Sequence, residues 1–492
     1  MKKTNLRLNL VFNVIYQLVA VLSPLLLTPK LSRVFGPDYL GLKSYSFSIV
    51  YYFAIFGVLG LDLLGQRKIA IERDNPEKLN KIFSSIFYTR FLLVLISIVL
   101  YLCYIPIFIS DDFEKIVAVV WVIYLIRELI NPVWVLQGLD KYQIVSVFSI
   151  ISQISYIVFS LIFINDKSQL PLYILFFSAI PLVISICYFP FVLKNVKFVF
   201  IKFNELFLNI KESLVYFVPT IATAIYSMID KTMLGIFDST KVSTGYYESA
   251  EKLVKVALAI STASFTIMRT RSSYLYGLND KSKYNSQCLS FISFSMMLCW
   301  PIMFGIIGIA YEFVPVFFGS EFECIIPFVY VFSLVVPCLT VSGLLQAIYI
   351  FPCNLQKTMD LYYLIIVIIN IAMNLLLIYF FGTIGAIISS VFAEFILALI
   401  LIIKARNKIN ISKIFIGSIK YIFSALVMLL FMIVFSKYVE INIYLKLIIE
   451  FLGAVVIYFV CCIVLKDKFV ILQLNKIIEK IKNIIIRKGK IK

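Results

Sequence analysis

Apolar runs of about 20 residues recur along this chain from its first segment to its last, each followed by a short polar or basic stretch. At 1.5 Å of rise per residue, a helix of that length crosses a hydrocarbon layer of about 30 Å. Lipid offers no partner for backbone N–H and C=O groups, so a spanning segment must satisfy them itself, as a helix, or in a closed barrel. The runs are continuous rather than alternating, which selects helices. Composition agrees: 62% of the residues are hydrophobic and 15% are charged, where a soluble domain is about one quarter charged. The chain reads as an all-α polytopic membrane protein.

Fourteen spans are expected, near residues 9–34, 39–64, 82–109, 114–137, 141–164, 170–193, 212–237, 244–268, 285–311, 324–350, 359–380, 384–404, 413–437 and 443–465. The formal net charge is +18. In a soluble protein that excess would suggest nucleic acid, but here topology accounts for it, since cytoplasmic loops collect Lys and Arg. With both termini placed in the cytoplasm, inner segments hold 32 of the 45 basic residues and outer segments hold 8. Five more, Arg90, Arg127, Lys231, Lys252 and Lys255, fall within spans. Dropping one helix would invert every later loop and destroy this asymmetry, and twelve spans is the alternative count. The N-terminus is read as a retained first span, because its apolar run is too long for a signal peptide. The basic segment 466–492 reads as a cytoplasmic tail lying on anionic lipid.

Several classes of function are disfavoured. There is no histidine, the commonest general base. The nine cysteines are scattered without a CxxC pair, so neither a zinc site nor a disulfide framework is expected. Cys461 and Cys462, near the end of the last span, read as buried small residues rather than acylation sites. No phosphate-binding glycine loop, GxSxG elbow or sizeable polar domain is present. The expectation is a transporter and not an enzyme, with no cofactor and no metal.

An internal repeat is faintly visible. "LTPKLSRVFGPDYLGLKSYS" (27–46) and "IDKTMLGIFDSTKVSTGYYES" (229–249) match at Phe35 with Phe237 and, at an offset of 204, at Gly41 with Gly245. The same offset brings Arg67 onto Arg271. Six spans separate the copies, an even number, so the copies run in parallel, as in transporters that place substrate between two halves. The expected organisation is an N-terminal lobe over 1–200, a C-terminal lobe over 201–408, two added spans over 409–465 and the tail. Prolines such as Pro24, Pro29, Pro132, Pro219, Pro301 and Pro337 lie in or at the ends of spans, where they can bend helices.

These features carry a resemblance. "LSPLLLTPKLSRVFGPDYLGLKSYSFSIVYYFAIFGVLGLDLLGQRKIA", the basic loop after it, and "IDKTMLGIF…TGYYESAEKL" resemble the Wzx-type polysaccharide biosynthesis proteins. These are lipid-linked oligosaccharide flippases of the multidrug/oligosaccharidyl-lipid/polysaccharide exporter superfamily. The resemblance implies a MATE-like fold with two six-helix lobes and two extra C-terminal helices. It also implies transfer of an undecaprenyl-pyrophosphate-linked repeat unit across the bacterial cytoplasmic membrane, for capsule, O-antigen or exopolysaccharide synthesis. Partners would be that glycan lipid and the bilayer, with a polymerase and export machinery as further candidates. The family's acid–base pair would map onto Asp230 and Lys231.

The residues themselves can be weighed against that reading. A pyrophosphate carrier needs intramembrane Lys and Arg, whereas a cation exporter needs carboxylates. Against the five intramembrane cations stand Glu128, Asp230, Glu248, Glu251 and Glu394, with Asp62 at the border. Glu248 with Lys252 and Glu251 with Lys255 are i,i+4 pairs in the favourable order. Arg90 has no acid three or four residues away, and Lys231 has only its neighbour Asp230. Arg90 and Lys231, then Arg127, are therefore expected to be the least compensated cations and to line a pyrophosphate-binding cavity. Lys252 and Lys255 are secondary candidates. Glu128, Asp230 and Glu394 are candidates for H⁺ or Na⁺ coupling or for structural pairing. The rival readings are a cation or drug exporter, a lipid II flippase and, last, a membrane polymerase.

Overall fold

The computed structural model describes residues 6–278, 280–476 and 479. Among these there is no strand. Sixteen α-helices follow one another: α1 Leu6–Val58, α2 Leu61–Glu72, α3 Pro76–Phe108, α4 Asp112–Ile130, α5 Val133–Gly138, α6 Tyr142–Phe163, α7 Leu170–Leu193, α8 Phe203–Phe237, α9 Val242–Gly277, α10 Lys281–Phe318, α11 Ile326–Ser333, α12 Val335–Leu345, α13 Gln356–Phe381, α14 Thr383–Ala405, α15 Ser412–Tyr438 and α16 Ile443–Val464. Twelve stretches among the described residues are long and apolar enough to cross a membrane, thirteen with α9 counted. The expected fourteen exceeds this at the N-terminus. There α1 carries the first pair as one element, interrupted only at Gly36, whose φ of 66° is left-handed. The basic tail lies largely beyond residue 476, outside the described residues.

The chain divides into two compact units, Met1–Glu248 and Ser249–Lys492. In the first, α8 packs on α1, α2 and α3. The seventh expected span is thus in contact with the first three. One crossing shows how tightly. A Cβ on Gly41 would lie 1.8 Å from the Lys241 carbonyl oxygen, and one on Gly245 would lie 1.9 Å from the Pro37 carbonyl oxygen. Only glycine permits backbones this close. The contact is reciprocal at an offset of 204, the offset of the repeat, so matching positions of the two copies face one another here.

Two spans of the first unit are broken well past their middles. The second span stops at Leu59 and Gly60, with φ of 48° and 74°, and resumes as α2. A side chain at Gly60 would also meet the backbone of Ser213, Tyr216 and Phe217 on α8. The fourth span stops at Asn131-Pro132 and resumes as α5. The two resumed halves pack together: Gly65 lies against the Trp134 ring, and Gly138 against Ile69. Leu61, Leu64, Phe83, Trp134, Leu136 and Val192 are part of the buried apolar cluster around them.

In the second unit α10 packs on α12 and α15, α13 on α14, and α15 on α16. The last helix shows why it stays seated. Glu450, Ala454, Tyr458 and Cys462 are buried at four-residue spacing, while Leu445, Ile448, Ile449, Leu452 and Val456 are exposed. This stripe lays one polar-containing face on the protein and leaves a continuous apolar face for lipid.

Candidate functional site: charges gathered at two helix breaks

Arg90 sits on α3 with 1% of its surface exposed, opposite both breaks. Its Nη1 donates to the carboxylate of Asp62, in the first turn after the α1/α2 break. Its Nη2 donates to the Glu128 carboxylate at 2.9 Å, in the last turn before the α4/α5 break. Its Nε donates to the backbone carbonyl of Glu128 at 2.6 Å. That third bond has a cause in the sequence. A helical carbonyl expects the N–H four residues on, and four residues after Glu128 stands Pro132, which has none. Arg90 fills the vacancy that the proline creates. Asp62, at a helix N-terminus, is also favoured by the partial positive charge there.

Arg127 shares Glu128, at 3.1 Å, and stands 5.6 Å from the Tyr124 ring centroid. Its Nε is buried without a hydrogen-bond partner. Two cations thus face two carboxylates in this cluster. A second group forms where α1, α8 and the start of α9 meet. Lys43 lies 3.3 Å from Glu248, Lys231 lies 3.8 Å from the same carboxylate, and the Tyr247 hydroxyl donates to Asp230 at 2.6 Å. Beside it Tyr52 pairs with Thr232 at 3.1 Å, and Thr232 with Ser48 at 2.9 Å.

The expectation that Arg90 and Lys231, then Arg127, are the least compensated cations meets a different arrangement. Each has a carboxylate in reach, contributed by other helices for Arg90 and Lys231, where local spacing could not reveal it. Glu248 lies within reach of both Lys43 and Lys231. Lys255 does pair with Glu251, at 2.6 Å, and its side chain is 57% exposed. Lys252 and Glu394 lie in the second unit, Glu394 buried on α14. Lys43, one of the eight basic residues counted to the outer segments, is half-buried. Glu450, buried in the last expected span, is a further intramembrane acid.

What the first cluster can do follows from its donors. Arg90 is enclosed and spends all three nitrogens on three acceptors, so it positions the two breaks. Arg127, with a spare buried Nε and 28% side-chain exposure, can offer N–H groups to an anion. Broken helices with charged groups at their ends are a recurrent way of building substrate sites in transporters.

Residues 6–270, more than half of the chain, match the family model described as polysaccharide biosynthesis protein, and the chain belongs to that family. It is 25% identical over 307 residues to a protein of Escherichia coli (strain K12) named for O-antigen transport, covering 60% of this chain and 73% of that one. Among solved structures it resembles the lipid II flippase MurJ in an inward closed conformation, with TM-score 0.70 and 17% identity over 92% of this chain and 99% of that one. It also resembles an inward-facing multidrug resistance MATE family transporter of the MOP superfamily, with TM-score 0.62 and 13% identity over 81% and 95%. The fold is that of this superfamily, and the chain is a multi-pass membrane protein.

Proposed function

We propose that the chain is a flippase for a polyprenyl-pyrophosphate-linked oligosaccharide, moving the repeat unit from the inner to the outer leaflet of a bacterial cytoplasmic membrane, with both termini inside. Membership of the polysaccharide biosynthesis family over residues 6–270 carries this reading, supported by the relative named for O-antigen transport. The charge clusters of the first unit fit it in a revised form. Arg127, Lys231 and Lys43 offer donors to the pyrophosphate, charge-assisted and so roughly twice the strength of neutral hydrogen bonds. Arg90 holds the frame. Glu128 and Glu248 neutralise these cations in the absence of substrate, so that an arriving pyrophosphate exchanges with carboxylates already in place. A drug exporter would instead need carboxylates directed at a cation, whereas Glu128 and Glu248 each bind two basic side chains.

The test is export of surface glycan in a strain lacking its own flippase. Arg127→Gln and Lys231→Ala should each lower export at least ~10-fold, about 1.4 kcal/mol, with normal amounts of inserted protein. Wild-type export in both variants would remove these residues from the site. Restoration of peptidoglycan precursor transfer, but not of surface glycan, would redirect the substrate to lipid II.

A further inference from the structure

A second group of charges lies in the C-terminal helices, apart from any site considered so far. Glu312 is on α10, two turns before its end; Ser436 is in the last turn of α15; Lys446 and Glu450 are in the first two turns of α16. Lys446 Nζ donates to Glu312 Oε1 at 2.6 Å and to the Ser436 carbonyl at 2.6 Å. The Ser436 hydroxyl donates to the same Glu312 oxygen at 2.6 Å. Every donor is thereby drawn to one carboxylate oxygen. Glu312 Oε2 and both oxygens of Glu450 are buried and receive no hydrogen bond. Glu450 has 0% of its surface exposed, and its carboxyl group faces that of Glu312.

Charge counting shows what is missing. Two carboxylates and one ammonium leave the group at −1 in an enclosed site, and an ionised carboxylate there without a partner is costly. Facing carboxylates avoid this by holding one proton between them, which supplies the lacking donor and brings the site to neutrality. A metal cation fits less well, since the Lys446 ammonium already occupies the cationic position beside Glu312. The groups that face Glu450 are Glu312 from α10 and Lys446 from α16 itself, with Ser436 of α15 bonded to both of these. Lys446 retains 13% side-chain exposure beside the 439–442 connection, a route by which the proton can exchange with water.

We infer that Glu312 and Glu450 form a proton-binding site, one exchangeable proton shared between two carboxyl groups and anchored by Lys446. The site is built from the two added C-terminal helices and α10. It makes the last helix pair proton-sensitive, and it does not depend on which substrate the first unit takes.

Infrared spectroscopy of the purified protein in lipid nanodiscs tests this. At neutral pH the wild type should show a carboxylic-acid carbonyl band that shifts in D₂O. Glu450→Gln should remove that band, and Glu312→Gln should remove or shift it. Because glutamine mimics the protonated acid, Glu450→Gln should also keep wild-type thermal stability at neutral pH, whereas Lys446→Gln should lower it. Absence of the band in wild type would overturn the assignment, as would a band unaltered by both glutamine variants. Failure of Glu450→Gln to fold would count against it equally, since it would mean that Glu450 acts as an anion.

Discussion

The two charge groups solve opposite problems with the same residue types. Around Arg90, two carboxylates meet two guanidinium groups, and the acceptors of Asp62 and Glu128 are drawn from separate helices broken at Gly60 and Pro132. Around Glu450, two carboxylates meet one ammonium, and three of the four carboxylate oxygens have no donor. The first group is balanced by its own side chains and can serve as a fixed scaffold. The second reaches balance only by taking something from solvent. A count of intramembrane charges alone treats both as acidic-plus-basic clusters; the donor-by-donor account separates a positioning device from a binding site.

The largest way to break this contrast is to unbalance the first group. Arg90→Ala leaves the Asp62 carboxylate and the Glu128 carbonyl without their donor and the Glu128 carboxylate with Arg127 alone, and removing one partner of a buried pair costs about 3–5 kcal/mol. Melting in detergent should fall accordingly, and export should be lost with it. Arg90→Lys should recover only part, because a point charge cannot span three acceptors set for a planar fork. Adding Asp62→Asn to Arg90→Ala, which leaves Glu128 to balance Arg127, should restore part of the stability without restoring export. If Arg90→Ala melts like wild type, the pairs around it are not holding the breaks together.

How much of this could be read in advance depends on the range of the force involved. The helices were legible because lipid leaves the backbone no alternative: α13 Gln356–Phe381 and α14 Thr383–Ala405 lie close to the expected 359–380 and 384–404. The break at Leu59-Gly60 was not, since hydropathy carries no information about φ; the glycines of "GVLGL" were the available sign. Pro132 was visible, but its consequence, a freed Glu128 carbonyl, needed the position of α3. Arg90's partners stand 28 and 38 residues away, beyond any i,i+4 rule. Glu450 was hidden by the hydrophobicity of its own helix, although the small and polar residues at 450, 454, 458 and 462 mark the buried face.

A smaller effect sharpens the contrast by moving the Lys43–Glu248 contact without touching a charge. Gly41→Ala places a methyl group within van der Waals radius of the Lys241 carbonyl, and overpacking of this kind costs about 1–3 kcal/mol. Lys43 and Glu248, each within one turn of the crossing, should shift apart, lowering export more than the loss of stability explains. Gly245→Ala should behave alike, because the contact is reciprocal. A variant that exports and melts as wild type would show that the crossing opens freely.

The smallest effect adds a third way of holding a carboxylate. Asp238, in the connection between α8 and α9, has neither a cation nor a proton as its partner. Its Oδ1 accepts from Thr240 N at 2.9 Å and Oγ1 at 2.6 Å, and its Oδ2 accepts from Ser243 N at 2.8 Å. Partial burial pushes its acidity one way, toward the neutral form, but the hydrogen bonds from Thr240 and Ser243 outweigh it and hold the group below the ordinary carboxylate range. A depressed value means that the stabilisation is complete above the ordinary aspartate pKa and disappears as pH falls through the folded-state value. Asp238→Asn should therefore cost about 1 kcal/mol at neutral pH, as expected for losing the hydrogen bond that Oδ2 accepts from Ser243 N, and the gap to wild type should close on acidification. Glu450→Gln should show no such gap at neutral pH, because the group it replaces is already protonated there. Melting both variants across the same pH series thus separates a carboxylate held by N–H donors from one held by a proton. If the two curves coincide, the distinction between the balanced and the proton-seeking clusters fails.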